Sequence, residues 1–125
     1  MSSNPKFFLG TDSAPHPITA KTCGANRRGK VAAGVFTQPY ATQLVINALD
    51  EACKEGVIEE SHITKEKLQG FLGDFGRQFY RVSDTRKEKI ILRKRDETIL
   101  EILEKDEIGV VPFKSGKTLV WSLDW

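Results

Sequence analysis

Two side chains that can exchange protons or bind ions, Asp12 and His16, lie in a short loop that follows an apolar run. The run covers residues 6–10 and stops abruptly at Gly-Thr-Asp, which predicts a buried strand whose C-terminal end opens onto a site. In parallel α/β folds the chemistry takes place at that end of the strands. Pro15 and Pro17 restrict the backbone on either side of His16. The sequence therefore predicts that Asp12 and His16 face one cavity.

Each of these residues also has a plain structural interpretation. An aspartate that follows Gly-Thr at a strand end is often only an Asx turn or a helix cap. A single histidine is more often structural or exposed than catalytic. Residue type and spacing therefore leave both interpretations open for Asp12 and for His16.

A longer pattern links this loop to a known enzyme family. Residues 9–16, Leu-Gly-Thr-Asp-Ser-Ala-Pro-His, resemble the last barrel strand and following loop of dihydroorotase, a zinc amidohydrolase of the stand-alone bacterial and fungal type. The similarity continues in two further segments, residues 33–36 and residues 111–122. The second of them begins Val-Pro-Phe-Lys-Ser-Gly. It implies an α/β fold, the C-terminal part of a (β/α)8 TIM-barrel metal-dependent hydrolase. A whole barrel needs about 250 residues, more than the 125 present.

The resemblance also implies how the chain is organised. Residues 1–125 would form a single region of an amidohydrolase barrel. Within it, residues 1–58 would supply the last barrel strand, the active-site loop and a helix, and residues 59–125 a C-terminal helix and small strands.

Three residues receive roles from the resemblance. Asp12 would bind one of two zinc ions and move the proton during hydrolysis of the cyclic amide. His16 would bind the carboxylate of the substrate, and Ala33 would contact the substrate through its backbone. For Ala33 a simple small-residue turn is an equally good interpretation, because residues 23–31 depart from the family pattern.

The implied reaction is the reversible, zinc-dependent conversion of L-dihydroorotate to N-carbamoyl-L-aspartate in de novo pyrimidine (UMP) biosynthesis. The family's other metal ligands, which include a His-x-His pair, a carboxylated lysine and two more histidines, have no counterpart in this sequence. A catalytic zinc ion needs about three protein ligands. We therefore expect the 125-residue chain alone to bind zinc weakly and to leave dihydroorotate unhydrolysed.

Charge and hydropathy narrow the choice of partners. A net charge of +2 is too small to argue for nucleic acid as a partner, and no apolar run approaches the roughly 20 residues of a membrane span. The N-terminus lacks a signal-peptide pattern, so a cytoplasmic enzyme with a small-molecule substrate is expected, and the resemblance allows a homodimer. Residues 13–40 contain basic but no acidic side chains, which suits an anionic substrate. A solvated surface loop explains the same composition at least as well. A Gly-x4-Gly-Lys pattern at 24–30 is followed by Val31, which argues against a nucleotide loop.

A second function remains open at this point. The chain could be a non-catalytic protein, derived from the C-terminal part of the barrel, that binds a partner through apolar faces its own residues do not cover. Another cyclic amidohydrolase would share the aspartate, although not the Ser-Ala-Pro-His or Val-Pro-Phe segments.

Periodicity predicts the elements that position these residues. A helix is expected from Tyr40, after Pro39, to a stop at Gly56. A second helix is expected to begin with Thr64 as its N-cap and to end at Gly76. Residues 90–93 fit a strand or a short helix. Residues 119–125 alternate as a strand and are expected to form a hairpin with 110–113.

Overall fold

The computed structural model describes residues 5–22, 31–83 and 89–124. The chain divides into two compact units. The helical unit comprises Met1–Gly10, Thr42–Arg93 and Leu123–Trp125, and the loop unit comprises Thr11–Ala41 and Lys94–Ser122. Helices and strands are both present, which agrees with the mixed α and β content predicted from the sequence.

The first predicted helix is confirmed. A 3-10 turn at Gln38–Tyr40 leads into helix α2, Ala41–Lys54, and Pro39 stands at the start of that turn. Gly56 follows with a left-handed φ of 70°, a conformation that ends helices and that glycine adopts without strain. Helix α1, Ile18–Lys21, is a single turn inside the predicted loop.

The buried face of α2 differs from the predicted apolar stripe. The most buried positions are Gln43, Ile46 and Asn47, whereas Ala48 is exposed and Leu44 only half-buried. Apolar spacing identifies the face that would prefer burial, but burial also needs a neighbouring element to cover that face.

The second helical region begins as predicted. Helix α3, Lys65–Gln69, has Thr64 as its N-cap, and the Thr64 side chain accepts a hydrogen bond from the Lys67 N–H at 3.3 Å. Glu66 lies in the first turn, where its own backbone N–H and the Thr64 hydroxyl lower the pKa of its carboxyl. A π-helical turn, Gly70–Asp74, and helix α4, Phe75–Tyr80, continue the chain.

The prediction that this helix ends at Gly76 was wrong. Helix α4 continues to Tyr80 and ends where Arg81 adopts a left-handed φ of 54°. A Cβ atom added at Gly76 would lie 3.2 Å from the Phe8 ring. Glycine therefore permits close packing at this position, and a helix interior tolerates it at a modest cost.

The predicted strand at residues 6–10 is also wrong. In the described part of the chain these residues form no strand. The Leu9 N–H instead donates to the Phe71 carbonyl at 2.9 Å, and the Phe8 ring lies 5.3 Å from that of Phe79. A strand requires a hydrogen-bonded neighbour along its edge, and here the apolar run packs against a helix instead.

The strands of the described residues form three two-stranded sheets. Strand β1 pairs with β6, β2 with β5, and β3 with β4. The strands are β1 Ile91–Arg93, β2 Glu97–Thr98, β3 Leu103–Lys105, β4 Ile108–Val110, β5 Thr118–Leu119 and β6 Ser122–Asp124. The ambiguous segment at 90–93 is therefore a strand, and Arg93 forms an ion pair with Asp124 at 2.6 Å.

The predicted hairpin between 110–113 and 119–125 was wrong. Val110 pairs with Leu103 in the β3–β4 hairpin, and Leu119 pairs with Glu97. Leu119 and Ile99 are the two fully buried large side chains among the described residues. The alternating pattern correctly indicated burial of Leu119, but alternation does not specify which strand is the partner.

Candidate functional site

The loop unit contains a cavity of about 350 Å³. Its walls are mostly apolar, with three basic side chains and no acidic one among the described lining residues. The lining residues are Ala14, His16, Ile18, Lys21, Gly34, Val35, Phe36, Val111, Pro112, Phe113 and Lys114. Such a cavity suits a small anion with an apolar body.

His16 reaches the cavity because the loop before it is tied to a second segment. Ser13 and Val35 form a parallel β-bridge, and the Ala14 N–H donates to the Val35 carbonyl at 3.0 Å. The Ser13 hydroxyl accepts the N–H groups of Thr37 and Gln38 at 3.1 and 3.0 Å. These bonds fix the loop two residues before the imidazole, which is half-buried.

A second part of the lining comes from residues 111–114, far along the chain from His16. The Phe113 N–H donates to the Phe36 carbonyl at 2.8 Å, and Lys114 follows in a left-handed turn with a φ of 56°. The hairpin predicted for residues 110–113 gave no indication of this role. Pro112, which cannot donate to a sheet, was the signal against the hairpin.

Lys21 is a second residue that the sequence analysis did not single out. It is the last residue of α1 and is half-buried. Its Nζ donates to the Ala32 carbonyl at 2.8 Å and also to the Gly34 carbonyl. The only sequence signal was its position among basic residues in a stretch without acidic ones.

The structure places the other two predicted site residues outside this lining. Asp12 is exposed and has a left-handed φ of 43°, and Ala33 is exposed beside the lining residue Gly34. The prediction that Asp12 and His16 face one cavity is therefore wrong for Asp12, since only His16 of these two residues is part of the lining.

The described residues do not by themselves fit a zinc ion. Within 5–22, 31–83 and 89–124, no three His, Cys, Asp or Glu side chains are grouped closely enough to hold a metal. Cys53 is a free, half-buried thiol, and His62 is exposed. Cys23 and the Gly-x4-Gly-Lys segment at 24–30 lie outside the described residues. No helix in the described part is long and apolar enough to cross a membrane.

Gly34 is the position at which we expect the cavity to be most sensitive to a small substitution. Its φ is 107°, and an added Cβ would lie 2.4 Å from the Ala14 Cβ. Gly34→Ala should therefore push the two segments apart and destabilise the protein by about 1–3 kcal/mol. Thermal unfolding measures this loss. Gly73→Ala is the matched control, because a Cβ there meets no atom within 4 Å, and an equal loss in both variants would contradict the prediction.

Sequence comparison finds relatives of a single kind among those most similar to the chain. The chain is 38% identical to the dihydroorotase of Saccharomyces cerevisiae over 129 aligned positions, which cover 100% of this chain and 32% of the relative. It is 37% identical to a probable dihydroorotase of Schizosaccharomyces pombe, over 99% of the chain and 32% of the relative. For the Acinetobacter baylyi dihydroorotase the identity is 38%, with 96% and 30% covered. No family model matches the chain.

Solved structures give the same result. A crystal structure of the Saccharomyces cerevisiae dihydroorotase in complex with 5-fluoroorotic acid superposes with a TM-score of 0.76 at 36% identity, covering 98% of this chain and 31% of the other. The Campylobacter jejuni dihydroorotase superposes with a TM-score of 0.64 at 27% identity, over 97% and 30%. The chain thus spans about a third of the length of the relatives that it matches.

Proposed function

We propose that this chain, which is homologous along its whole length to the C-terminal portion of dihydroorotases, provides part of a dihydroorotase active site. The proposed reaction is the reversible hydrolysis of the cyclic amide of L-dihydroorotate to N-carbamoyl-L-aspartate. One observation supports it beyond the similarity: His16 lines a cavity whose titratable lining residues are all basic.

His16 is proposed to bind the substrate's carboxylate. An imidazole donates a hydrogen bond to a carboxylate, and the bond is stronger when the ring is protonated. The positive charges of Lys21 and Lys114 in the same lining would favour an anion further. A volume of about 350 Å³ is at the lower end of the range for small-molecule sites, which suits a molecule of one ring.

Asp12 is proposed to carry the proton. Hydrolysis of an amide requires that the attacking water lose a proton and that the departing nitrogen gain one. One carboxylate that faces both atoms can do each in turn. The exposure of Asp12 leaves its carboxylate accessible to a substrate held at His16.

The other parts of the proposal rest on family resemblance alone. They are the TIM barrel, two zinc ions with Asp12 as a ligand, a place in pyrimidine biosynthesis, a cytoplasmic location and a homodimer. Because the described residues do not form a zinc site, further ligands would have to come from other residues. The comparisons do not favour the alternative of a non-catalytic partner-binding protein.

Substitution of His16 tests the proposal. In the polypeptide that carries this sequence in its source cells, His16→Ala should raise the KM for dihydroorotate roughly 10- to 100-fold with a smaller change in kcat, because a charge-assisted hydrogen bond to the bound substrate is lost. Steady-state kinetics measure both constants.

His62→Ala is the matched control, because His62 is exposed and is not among the residues that line the cavity. Its kinetic constants should equal those of the wild type. A wild-type polypeptide that does not hydrolyse dihydroorotate would overturn the proposed function. An unchanged KM in His16→Ala would overturn the role of His16.

A further inference from the structure

We infer that Lys114 is a specificity-determining residue, whose ammonium makes the cavity bind the doubly charged open-chain acid more tightly than the singly charged cyclic acid. The inference deepens the proposed function and rests on it, since it assigns a role within the same cavity. Lys114 acts on the binding of the reactants and takes no part in proton transfer.

The two reactants differ in charge as well as in shape. Hydrolysis breaks the ring C–N bond and adds one water molecule. The carbonyl carbon gains the OH group, the nitrogen gains a hydrogen, and the new carboxylic acid releases its proton to solvent. At neutral pH the cyclic acid therefore has one carboxylate and the open-chain acid has two. A cation placed to meet the second carboxylate would distinguish one reactant from the other.

Of the two lysines in the lining, Lys114 is the one whose charge is available to a ligand. The Lys21 Nζ already donates to the carbonyls of Ala32 and Gly34. Among the described residues, by contrast, no ion pair or hydrogen bond engages the Lys114 ammonium. A lysine ammonium has three donors, so a carboxylate can accept hydrogen bonds from Lys114 without displacing a protein acceptor.

The backbone around Lys114 is held on both sides. The Phe113 N–H donates to the Phe36 carbonyl at 2.8 Å, and the Ser115 hydroxyl donates to the Glu101 carbonyl at 2.7 Å. The Lys114 side chain therefore starts from a fixed point in the lining, and a ligand has to order only its aliphatic stem.

The backbone conformation of Lys114 is unusual for a lysine. Its φ of 56° is left-handed, a conformation in which glycine and asparagine are the usual residues. A lysine at this position has a backbone cost, and residues of this kind cluster at ligand sites. The strain supports a binding role here because Lys114 also lines a cavity.

The dimensions of the open-chain acid suit basic contacts from two segments. Its carboxylates are separated by only two carbon atoms, and the cavity of about 350 Å³ has room for both. His16 and Lys114 belong to different segments of the lining. His16 then binds the carboxylate that both reactants share, and Lys114 binds the carboxylate that ring opening creates.

Product inhibition in the polypeptide that carries this sequence in its source cells tests the inference. Lys114→Met removes the charge and keeps the length of the side chain. We expect the inhibition constant of N-carbamoyl-L-aspartate to rise roughly tenfold, and the KM for dihydroorotate to change less than about threefold. A substitution cannot alter the overall equilibrium, so the kcat of ring closure should rise relative to that of hydrolysis by the ratio of these two changes.

Two further variants serve as controls. Lys114→Arg keeps the charge and should leave the inhibition constant within about threefold of the wild-type value. Lys117→Met should change neither constant, because Lys117 is an exposed lysine of the same turn and is not part of the lining.

Two results would overturn the inference. One is an unchanged inhibition constant in Lys114→Met, and the other is an equal rise in both constants, which would place Lys114 on the shared carboxylate. A wild-type polypeptide that does not hydrolyse dihydroorotate would instead overturn the proposed function. Calorimetric titration of the wild type and Lys114→Met with both acids would then still decide whether Lys114 favours the doubly charged one.

Discussion

Asp12→Asn is expected to reduce the kcat of dihydroorotate hydrolysis by roughly 1,000-fold, the size typical for loss of a positioned proton-transfer group. Asparagine matches the shape of aspartate and tolerates the left-handed backbone that residue 12 adopts at a φ of 43°. The loop should therefore keep its conformation while the proton acceptor is removed. Steady-state and single-turnover kinetics of the full polypeptide measure the effect.

Asp106→Asn provides the matched control for this substitution. Asp106 is also an exposed aspartate in the left-handed region, with a φ of 56°, but it lies in the turn of the β3–β4 hairpin. The kcat of Asp106→Asn should equal that of the wild type. A kcat within tenfold of the wild type in Asp12→Asn would exclude the acid/base role, and an Ala variant would then test whether the residue matters at all.

Ile99→Ala is expected to have the largest effect on stability, a loss of about 2–5 kcal/mol in the free energy of unfolding. The Ile99 side chain is 0% exposed. Its N–H donates to the Lys117 carbonyl at 2.9 Å and its carbonyl accepts the Gly116 N–H at 3.0 Å, so the backbone will hold its position and leave a cavity. Urea denaturation measures the loss.

Leu100→Ala is the control for that experiment. Leu100 is the next residue along the chain and its side chain is 52% exposed. Its backbone N–H donates to the buried Tyr40 hydroxyl at 3.3 Å, a bond that the substitution leaves in place. We expect a loss below about 1 kcal/mol, and equal losses at the two positions would show that Ile99 is not the core of the loop unit.

The helices could be predicted because their signals are local. Thr64 caps α3 through a hydrogen bond to the N–H three residues later, and Gly56 adopts the conformation that ends a helix. Gly76 is also a glycine, but it does not end a helix. It instead permits close packing against Phe8. That use depends on a residue far away in the sequence, so no local pattern could reveal it.

The strands were predicted less well, because pairing is a property of two segments. The apolar run at 6–10 fits a buried strand in composition, yet Leu9 bonds to Phe71 in the helical region. Leu119 was correctly predicted to be buried, but its partner proved to be Glu97. Residue alternation states which face is apolar and leaves the choice of neighbour open.

Only part of the candidate site could be predicted, because some of its contacts join segments that are far apart in the sequence. His16 lines the cavity, in agreement with a loop stiffened by two prolines. Phe113 is held by one backbone hydrogen bond to Phe36. Lys21 is held by hydrogen bonds from its ammonium group to two backbone carbonyls. Backbone acceptors have no residue-type signature, so the sequence contains no mark of these contacts.

The hydrogen bond between Phe113 and Phe36 also has a consequence for the synthesis of the chain on the ribosome. On a ribosome, the segments around His16 and Phe36 leave the exit tunnel well before Phe113 is added to the chain. The part of the cavity lining around Phe113 is therefore missing until that residue has been added, and closure of so long a loop is slow and carries an entropic cost. Substrate binding at His16 thus depends on residues that are added well after His16 itself, and before that point the apolar lining of the cavity is incomplete.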